Sequence, residues 1–407
     1  MNLEKIIKFI FILSSCGLIS VGNFYDDRLI FFGINISFVI SGLYVFSLMS
    51  LLIKVRDIKF SISKFILYTF FLLVIVLSPI LWLIFEVNQY GVIKYLTFLF
   101  ITVPISVVIL ELFTERDMNF MIWVLFSVSF LLMFLGYQNF ESAKDLQGQR
   151  MAVLGGGPIV FGRWLMFGSL ILLFHPNVKK IYKFLIVPLF IFMAFAAGSR
   201  GPMYSFVLII SFYLFFTFRH NFSKIFSLSI LVCLIFSSLF LFDKLGIKTV
   251  DIHNTYIELG NPAKRMSDPT LGGYARIDRI DRSINLVMTY PLGVGIGNWA
   301  KETNRFSDLH HRDKEYAHNI VLELANESGI IVAIVFLILI FSVLSSAFNN
   351  FQLVSSSSYL TLFFILFMYM LINTFISGDL MDSRFLFIFL SFFLSYSINY
   401  RNILESS

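Results

Sequence analysis

The sequence predicts an all-α polytopic membrane protein with about twelve transmembrane helices. Of its 407 residues, 58% are hydrophobic and only 14% are charged, whereas soluble domains carry about 25% charged residues. Apolar stretches of about 20 residues, the length that crosses a bilayer, recur almost from one end of the chain to the other. The predicted spans are 6–22, 29–53, 65–85, 92–113, 118–137, 158–174, 181–197, 202–218, 225–242, 318–343, 359–376 and 385–400. We expect residues 1–407 to form a single integral membrane domain.

Lysine and arginine in the short loops predict the orientation of these spans. More of them fall in loops on the side of the two chain ends than in loops on the opposite side. Because positively charged loops stay in the cytoplasm, we expect both termini there. Segment 243–317 then forms one large outward loop, on the extracytoplasmic face, that contains short helices. The net charge of +6 belongs to the cytoplasmic face, and we expect no nucleic-acid partner.

Metal and disulfide chemistry are not expected. Cys16 and Cys233 both lie inside apolar runs, where a cysteine is typically a small core residue. The six histidines show no H-x-x-H or H-E-x-x-H spacing, and the chain has no C-x-x-C. We therefore predict a site that works without a metal or cofactor.

Two arginines flank a triple glycine ahead of the sixth predicted span. Arg150 and Arg163 stand on either side of 155–157 and Pro158, and such a glycine run permits a re-entrant turn or a close backbone approach. Arg163 lies about one turn into the apolar run, so it faces protein or a water-filled cavity, or it snorkels to the outer headgroups. Both arginines are candidate substrate-binding residues.

Arg200 occupies the tip of a tight hairpin, residues 196–203, between the seventh and eighth predicted spans. A planar guanidinium binds phosphate or pyrophosphate through two parallel hydrogen bonds. The alternative is a membrane-interface anchor. The rigid Gly-Ser-Arg-Gly-Pro turn favours a binding role.

Residues 274–290 predict a helix that carries three arginines. Arg276, Arg279 and Arg282 recur every three residues and so occupy an arc of about 120°. Asp278 and Asp281 can form ion pairs with them, and the apolar residues of this helix can lie on the membrane surface. The helix should stop before Pro291, and the glycines that follow, in GVGIGN, predict a close-packed turn. A salt-bridged solvent-exposed helix is the alternative to an anion site.

His318 stands where the polar segment meets a fresh apolar run. A helix that begins near His318 would place the imidazole in its first turn, where unsatisfied N–H groups disfavour the imidazolium and keep a basic nitrogen available. An interfacial cap is the alternative. Asn319, Glu323 and Glu327 fall on a neighbouring stripe of that helix. Between the last two spans, Asp379, Asp382 and Arg384 predict a small outward polar rim.

These motifs, in this order, resemble the O-antigen polymerase/O-antigen ligase family. The resemblance covers about residues 150–340. Its pieces are Gly198-Ser199-Arg200-Gly201, Arg276 upstream of Pro291 and the Gly293-x-Gly295-x-Gly297-Asn298 turn, and His318-Asn319 followed by Leu322, Glu323, Glu327 and Gly329. Two positions depart from the usual pattern: Tyr290 is often histidine in relatives, and Ile280 replaces an aromatic residue.

The resemblance implies a multispanning glycosyltransferase of the bacterial inner membrane. Its donor is a polyprenyl-pyrophosphate-linked oligosaccharide, used without metal or nucleotide. Arg200 and Arg276 would bind the pyrophosphate, and His318 would activate the acceptor hydroxyl. Arg279, Arg163, Arg150, Asn319 and Glu323 are further candidate substrate-binding residues. A chain-length regulator is an expected protein partner, beside the lipid bilayer itself.

Four functions are candidates for this chain. The leading one is a polymerase of lipid-linked repeat units, and a ligase that transfers polymer to a lipopolysaccharide core shares its motifs. A flippase or transporter would show internal repeats and charges near the bilayer midplane, which this sequence lacks. A glycosyltransferase that uses the acidic pair Asp26 and Asp27 in the first outward loop is the fourth.

Overall fold

The computed structural model describes residues 3–20, 30–31, 34–55, 61–142, 157–197, 199–218, 273–304 and 316–406. These residues are almost entirely helical, apart from one short antiparallel pair between β1 (Ile30–Phe31) and β2 (Ile34–Asn35). The helices are α1 (Leu3–Ser20), α2 (Ile36–Leu52), α3 (Ile62–Trp82), α4 (Gln89–Thr97), α5 (Val103–Leu112), α6 (Glu115–Ser142), α7 (Pro158–Phe174), α8 (Lys180–Ala196), α9 (Arg200–Phe218), α10 (Gly273–Thr289), α11 (Trp299–Thr303), α12 (Ile320–Glu327), α13 (Ile330–Asn349), α14 (Phe351–Ser356), α15 (Ser358–Ser377) and α16 (Arg384–Ser406). The predicted all-α class is confirmed.

Five of the described helices are long and apolar enough to cross a membrane: Ile62–Trp82, Gln89–Leu112, Glu115–Tyr137, Ile330–Asn349 and Ser358–Ser377. Shorter apolar helices lie at Ile36–Leu52, Ile159–Phe174, Gly201–Thr217 and Arg384–Ile398. The chain is thus a helical membrane protein. The total of twelve spans stays a prediction, and the predicted span 225–242 lies outside the described residues.

The predicted span 318–343 is wrong as a single helix. The structure divides it into α12 and α13, which are separated by Ser328 and Gly329. Gly329 has a φ of 99°, a conformation that only glycine adopts readily. The carbonyl oxygen of Leu292 would lie 2.6 Å from a Cβ at this position. The break therefore results from the close approach of the glycine turn to the chain between the two helices.

The chain divides into two compact units. The first comprises Met1–Ile19, Ile36–Met121 and Tyr274–Ser407, and the second comprises Ser20–Asn35 and Ile122–Gly273. The expectation of a single membrane domain stays a prediction.

A phenylalanine cluster forms the core of the first unit. Phe70 of α3 lies 5.4 Å from Phe387 of α16 and 5.5 Å from Phe336 of α13, measured between ring centroids. Phe98, in a π-helical turn between α4 and α5, packs edge-on against Phe70 and Phe71. Aromatic pairs in these geometries add stabilisation beyond their buried area. The cluster thereby packs α3, α13, α16 and the segment between α4 and α5 against one another.

The second unit is held by close helix contacts around α7. The Ser129 hydroxyl of α6 donates to the Trp164 carbonyl at 2.6 Å, opposite Gly168. A Cβ at Gly168 would lie 2.9 Å from the Phe190 ring of α8. Small residues at such contacts let membrane helices approach closely.

Candidate functional site

His318 has a strained backbone. Its φ is 55°, and it is the one non-glycine residue with positive φ in the part of the chain that the structure describes. This left-handed conformation costs a residue with a Cβ about 1–2 kcal/mol. Strain of this kind persists where surrounding contacts impose it, and it clusters at functional sites.

The expected place of His318 in the first turn of a helix is wrong. The helix begins at Ile320, and the Asn319 side chain caps it by accepting hydrogen bonds from the N–H groups of Val321 and Leu322, at 3.0 and 3.1 Å. Asparagine is among the strongest N-cap residues. The imidazole therefore stands just before the helix, and contacts with its neighbours hold it there.

The Ser377 and Tyr316 side chains lie against the His318 ring. The Ser377 hydroxyl, at the end of α15, lies 3.3 Å from Nδ1, and the Tyr316 ring centroid lies 4.2 Å from that of the imidazole. When Nδ1–H donates to the Ser377 hydroxyl, Nε2 carries the lone pair and can accept a proton. This arrangement is compatible with a general base.

Asn319 also ties α12 to α15. Its Nδ2 donates to the Phe375 carbonyl at 2.9 Å, while its Oδ1 caps α12. Both the oxygen and the nitrogen of this amide thus form hydrogen bonds within the protein. The expectation that Asn319 binds substrate stays a prediction.

Glu323 lies in a buried cluster of charges. Its side chain is 1% exposed and forms an ion pair with Lys94, which is fully buried and also lies 2.7 Å from a carboxylate oxygen of Glu327. Glu323 additionally accepts a hydrogen bond from the backbone N–H of Leu380, at 3.3 Å. Burial raises the pKa of both carboxyls, and the Lys94 ammonium opposes this effect. These contacts favour a supporting role for Glu323, whose proposed contact with substrate stays a prediction.

Sequence reasoning did not single out Lys94 as a candidate site residue. A signal was present, because Lys94 stands among apolar residues, and a charge within a membrane helix pairs with another charge or with backbone carbonyls. The polar rim expected between the last two spans is largely buried, and the side of the membrane that it faces stays a prediction. Asp379 and Arg384 are buried: Asp379 accepts from the Tyr90 hydroxyl at 2.8 Å, and Arg384 Nη1 donates to the Leu18 carbonyl at 3.1 Å. Both side chains are therefore buried against partners that are distant in the sequence.

The predicted glycine turn is confirmed. Gly293, Gly295 and Gly297 have φ values of 92°, 87° and 86°, and residues 293–298 are buried. Their backbone joins distant helices: the N–H groups of Val294 and Gly295 donate to the carbonyls of Asn326 and Glu327, at 2.8 and 2.9 Å. The turn therefore fixes the end of α12.

The arginine helix forms as predicted and ends at Thr289, just before Pro291. Arg282 is buried and forms an ion pair with Asp278 at 3.0 Å. Arg279 is half-buried, and the Arg276 side chain lies outside the described residues. The opposite face of this helix exposes an apolar stripe, in keeping with a helix on a membrane surface: Ile277, Ile280, Ile284 and Met288.

The remaining predicted site residues belong to the second unit or lie outside the described residues. Arg163 on α7 is buried, so it faces protein and does not snorkel to headgroups. Arg200 begins α9, but its side chain is outside the described part of the chain, as is Arg150. Throughout the residues that the structure describes, no group of three or more His, Cys, Asp or Glu side chains could hold a metal ion.

Comparison with known proteins gives one family. Residues 185–337 match the family model described as O-antigen ligase. The matched stretch contains Arg200, the arginine helix, the glycine turn and His318, and it confirms the resemblance seen in the sequence over these residues. A search of curated proteins found no match. The apolar helices and this match together indicate a membrane enzyme that processes glycans.

Proposed function

We propose that this chain is a membrane glycosyltransferase that polymerises lipid-linked oligosaccharide repeat units, with a polyprenyl-pyrophosphate glycan as donor. The observation that carries the proposal is the strained His318, which is held by Ser377 and Tyr316 within the stretch that matches the O-antigen ligase family. Backbone strain at a histidine, a residue type that can accept a proton near neutral pH, supports a catalytic role.

The proposed reaction needs a base and a stabilised leaving group. His318 Nε2 accepts the proton of the acceptor sugar hydroxyl while the hydroxyl oxygen forms a bond to the anomeric carbon of the donor. The bond from that carbon to the pyrophosphate oxygen breaks, and the electron pair leaves with the polyprenyl pyrophosphate. Arg200 and Arg276 are proposed to bind that developing charge, with Arg279, Arg163 and Arg150 as further contributors. Guanidinium groups supply the positive charge, so we propose that no metal is needed.

A ligase that transfers finished polymer to a lipopolysaccharide core is the second candidate. The description of the matched family, O-antigen ligase, favours it. The proposed chemistry of His318 and the arginines is the same for both enzymes, which differ only in the acceptor sugar. Deletion of the gene distinguishes the two.

We expect the deletion strain to lose long surface polysaccharide while one repeat unit remains attached to its acceptor. Electrophoresis of the surface glycan measures this directly. A bare acceptor with polymer retained on its lipid carrier would identify a ligase, and unchanged glycan would contradict both. Deletion of a chain-length regulator, the proposed protein partner, should broaden the length distribution without abolishing polymer.

The proposal places the protein in the bacterial inner membrane with both termini in the cytoplasm. We expect cysteines introduced at Asp268 and Arg312 to react with an impermeant thiol reagent in intact spheroplasts, in a protein whose Cys16 and Cys233 are serine. A cysteine at Lys180 should react only after the membrane is opened. Reaction at position 180 in intact spheroplasts would reverse the orientation.

A further inference from the structure

We infer that Lys94 is a positioning residue: its buried ion pairs with Glu323 and Glu327 hold α12 so that His318 stays in its strained conformation against Ser377. This inference rests on the proposed role of His318 as the base. Lys94 lies on α4, far from His318 in the sequence, and neither the motifs nor the family match, which begins at residue 185, includes it.

The ion pairs connect α4 to α12. Lys94 is fully buried, and the side chains of Glu323 and Glu327 are 1% and 2% exposed. The two carboxylates are one helical turn apart, so the single ammonium contacts the middle and the C-terminal end of the same short helix. The backbone carbonyl of Glu327 also accepts a hydrogen bond from the Gly295 N–H of the glycine turn, at 2.9 Å. Lys94 therefore joins α12 to the frame of the first unit.

α4 and α12 also contact the segment that follows Ser377. Glu323 accepts from the Leu380 N–H at 3.3 Å, and the Tyr90 hydroxyl, one turn before Lys94 on α4, donates to Asp379 at 2.8 Å. The segment that carries Ser377 is thereby fixed by α12 and by α4 together. His318 directly precedes the N-cap of α12, and Ser377 directly precedes the turn between α15 and α16. The positions of both residues therefore depend on the ion pairs of Lys94.

Removal of the ammonium alone would leave two buried carboxylates without a counter-ion. Such groups repel each other, and they attract water or a proton because burial without a counter-ion disfavours the charged form. α12 would then move away from α4. A displacement of about 1 Å in a catalytic group can lower the rate about 100-fold.

The chain offers a matched control. Lys64 of α3 is also buried, forms a 3.0 Å ion pair with the buried Glu111, and has a tyrosine, Tyr68, that donates to the same carboxylate at 2.6 Å. Lys64 lies about 27 Å along α3 from Trp82, the residue of that helix that contacts the glycine turn. Lys64→Met therefore tests the general cost of a lost buried lysine without disturbing the His318 joint.

The experiment compares Lys94→Met, Glu323→Gln and Lys64→Met in the purified full-length protein. We expect Lys94→Met to lower kcat about 100-fold with the KM for donor nearly unchanged, because the arginines that bind donor are untouched. Glu323→Gln, which leaves the Lys94–Glu327 pair intact, should show a smaller loss, also in kcat. Lys64→Met should retain wild-type kcat. If Lys94→Met does not fold, Glu323→Gln decides, and an increase in KM alone would assign Glu323 to substrate and overturn the inference.

A second measurement does not depend on activity. The rate at which diethylpyrocarbonate modifies His318 is measured in a protein whose other five histidines are replaced. We expect this rate to rise in Lys94→Met and in Glu323→Gln, and to stay unchanged in Lys64→Met. An unchanged rate in both cluster variants would overturn the positioning role even when His318 is essential. If His318→Ala is active while the modification rate rises in Lys94→Met, His318 is not the base. The positioning of His318 by the Lys94 ion pairs is then still supported.

Discussion

Replacement of His318 by alanine should leave a folded protein that binds the donor lipid and transfers almost no glycan. A general base contributes typically about 10²–10⁴-fold to the rate, so the loss should fall in that range and appear in kcat. His318→Asn is the better-matched variant, because asparagine tolerates the left-handed backbone seen at this position. The measurement is a time course with purified protein and a synthetic polyprenyl-pyrophosphate glycan, with product length followed by gel.

Other replacements separate this mechanism from its alternatives in the same assay. Arg200→Lys and Arg276→Lys keep the charge but lose the two-pronged contact, so kcat/KM for the donor should fall sharply. His310→Ala and His311→Ala should be nearly silent, because both residues lie in the predicted outward loop 243–317, where we expect them to face solvent. Asp26→Asn should also be mild, and EDTA should have no effect. Robust polymer from His318→Ala, or abolition by Asp26→Asn or EDTA, would contradict the histidine-base mechanism.

The features that the sequence predicted correctly depend on local physical rules. Long apolar runs predicted the described spanning helices. Pro291 predicted the end of the arginine helix at Thr289, because the residue before proline avoids helical geometry. The three spaced glycines predicted a close-packed turn, since each has the positive φ that glycine adopts readily.

The features that sequence reasoning missed depend on contacts between distant segments. The sequence did not predict the buried ion pair of Glu323, because its partner Lys94 lies on a helix far earlier in the chain. Asp379 and Arg384 were predicted to form a polar rim. Their partners are the Tyr90 hydroxyl, which donates to Asp379, and the Leu18 carbonyl, which accepts from Arg384; neither can be found from spacing alone. The error at His318 is local. Asn319 is the N-cap residue, so the helix starts at Ile320 and not near His318.

A second large effect is expected in the glycine turn, on the free energy of unfolding. Gly297→Ala should destabilise the protein by about 3 kcal/mol or more, from left-handed strain together with a backbone clash. Gly297 has a φ of 86°, and a Cβ there would lie 2.6 Å from the backbone nitrogen of Gly91 and 2.9 Å from Asn88 Oδ1. Neither neighbour can retreat freely, since Asn88 caps α4 through the Gly91 N–H and its Nδ2 donates to the Gly297 carbonyl.

Thermal unfolding in detergent, followed by intrinsic fluorescence, measures this effect. Gly42→Ala is the matched control: Gly42 lies within α2, and a Cβ there would meet no atom within 4 Å. That variant should be neutral or slightly more stable, because alanine is favoured over glycine in a helix by up to about 1 kcal/mol. A melting temperature for Gly297→Ala equal to that of Gly42→Ala would contradict the close packing of the turn against α4. The expected loss follows because the turn joins α3, α4 and α12 through backbone groups, which cannot repack as side chains do.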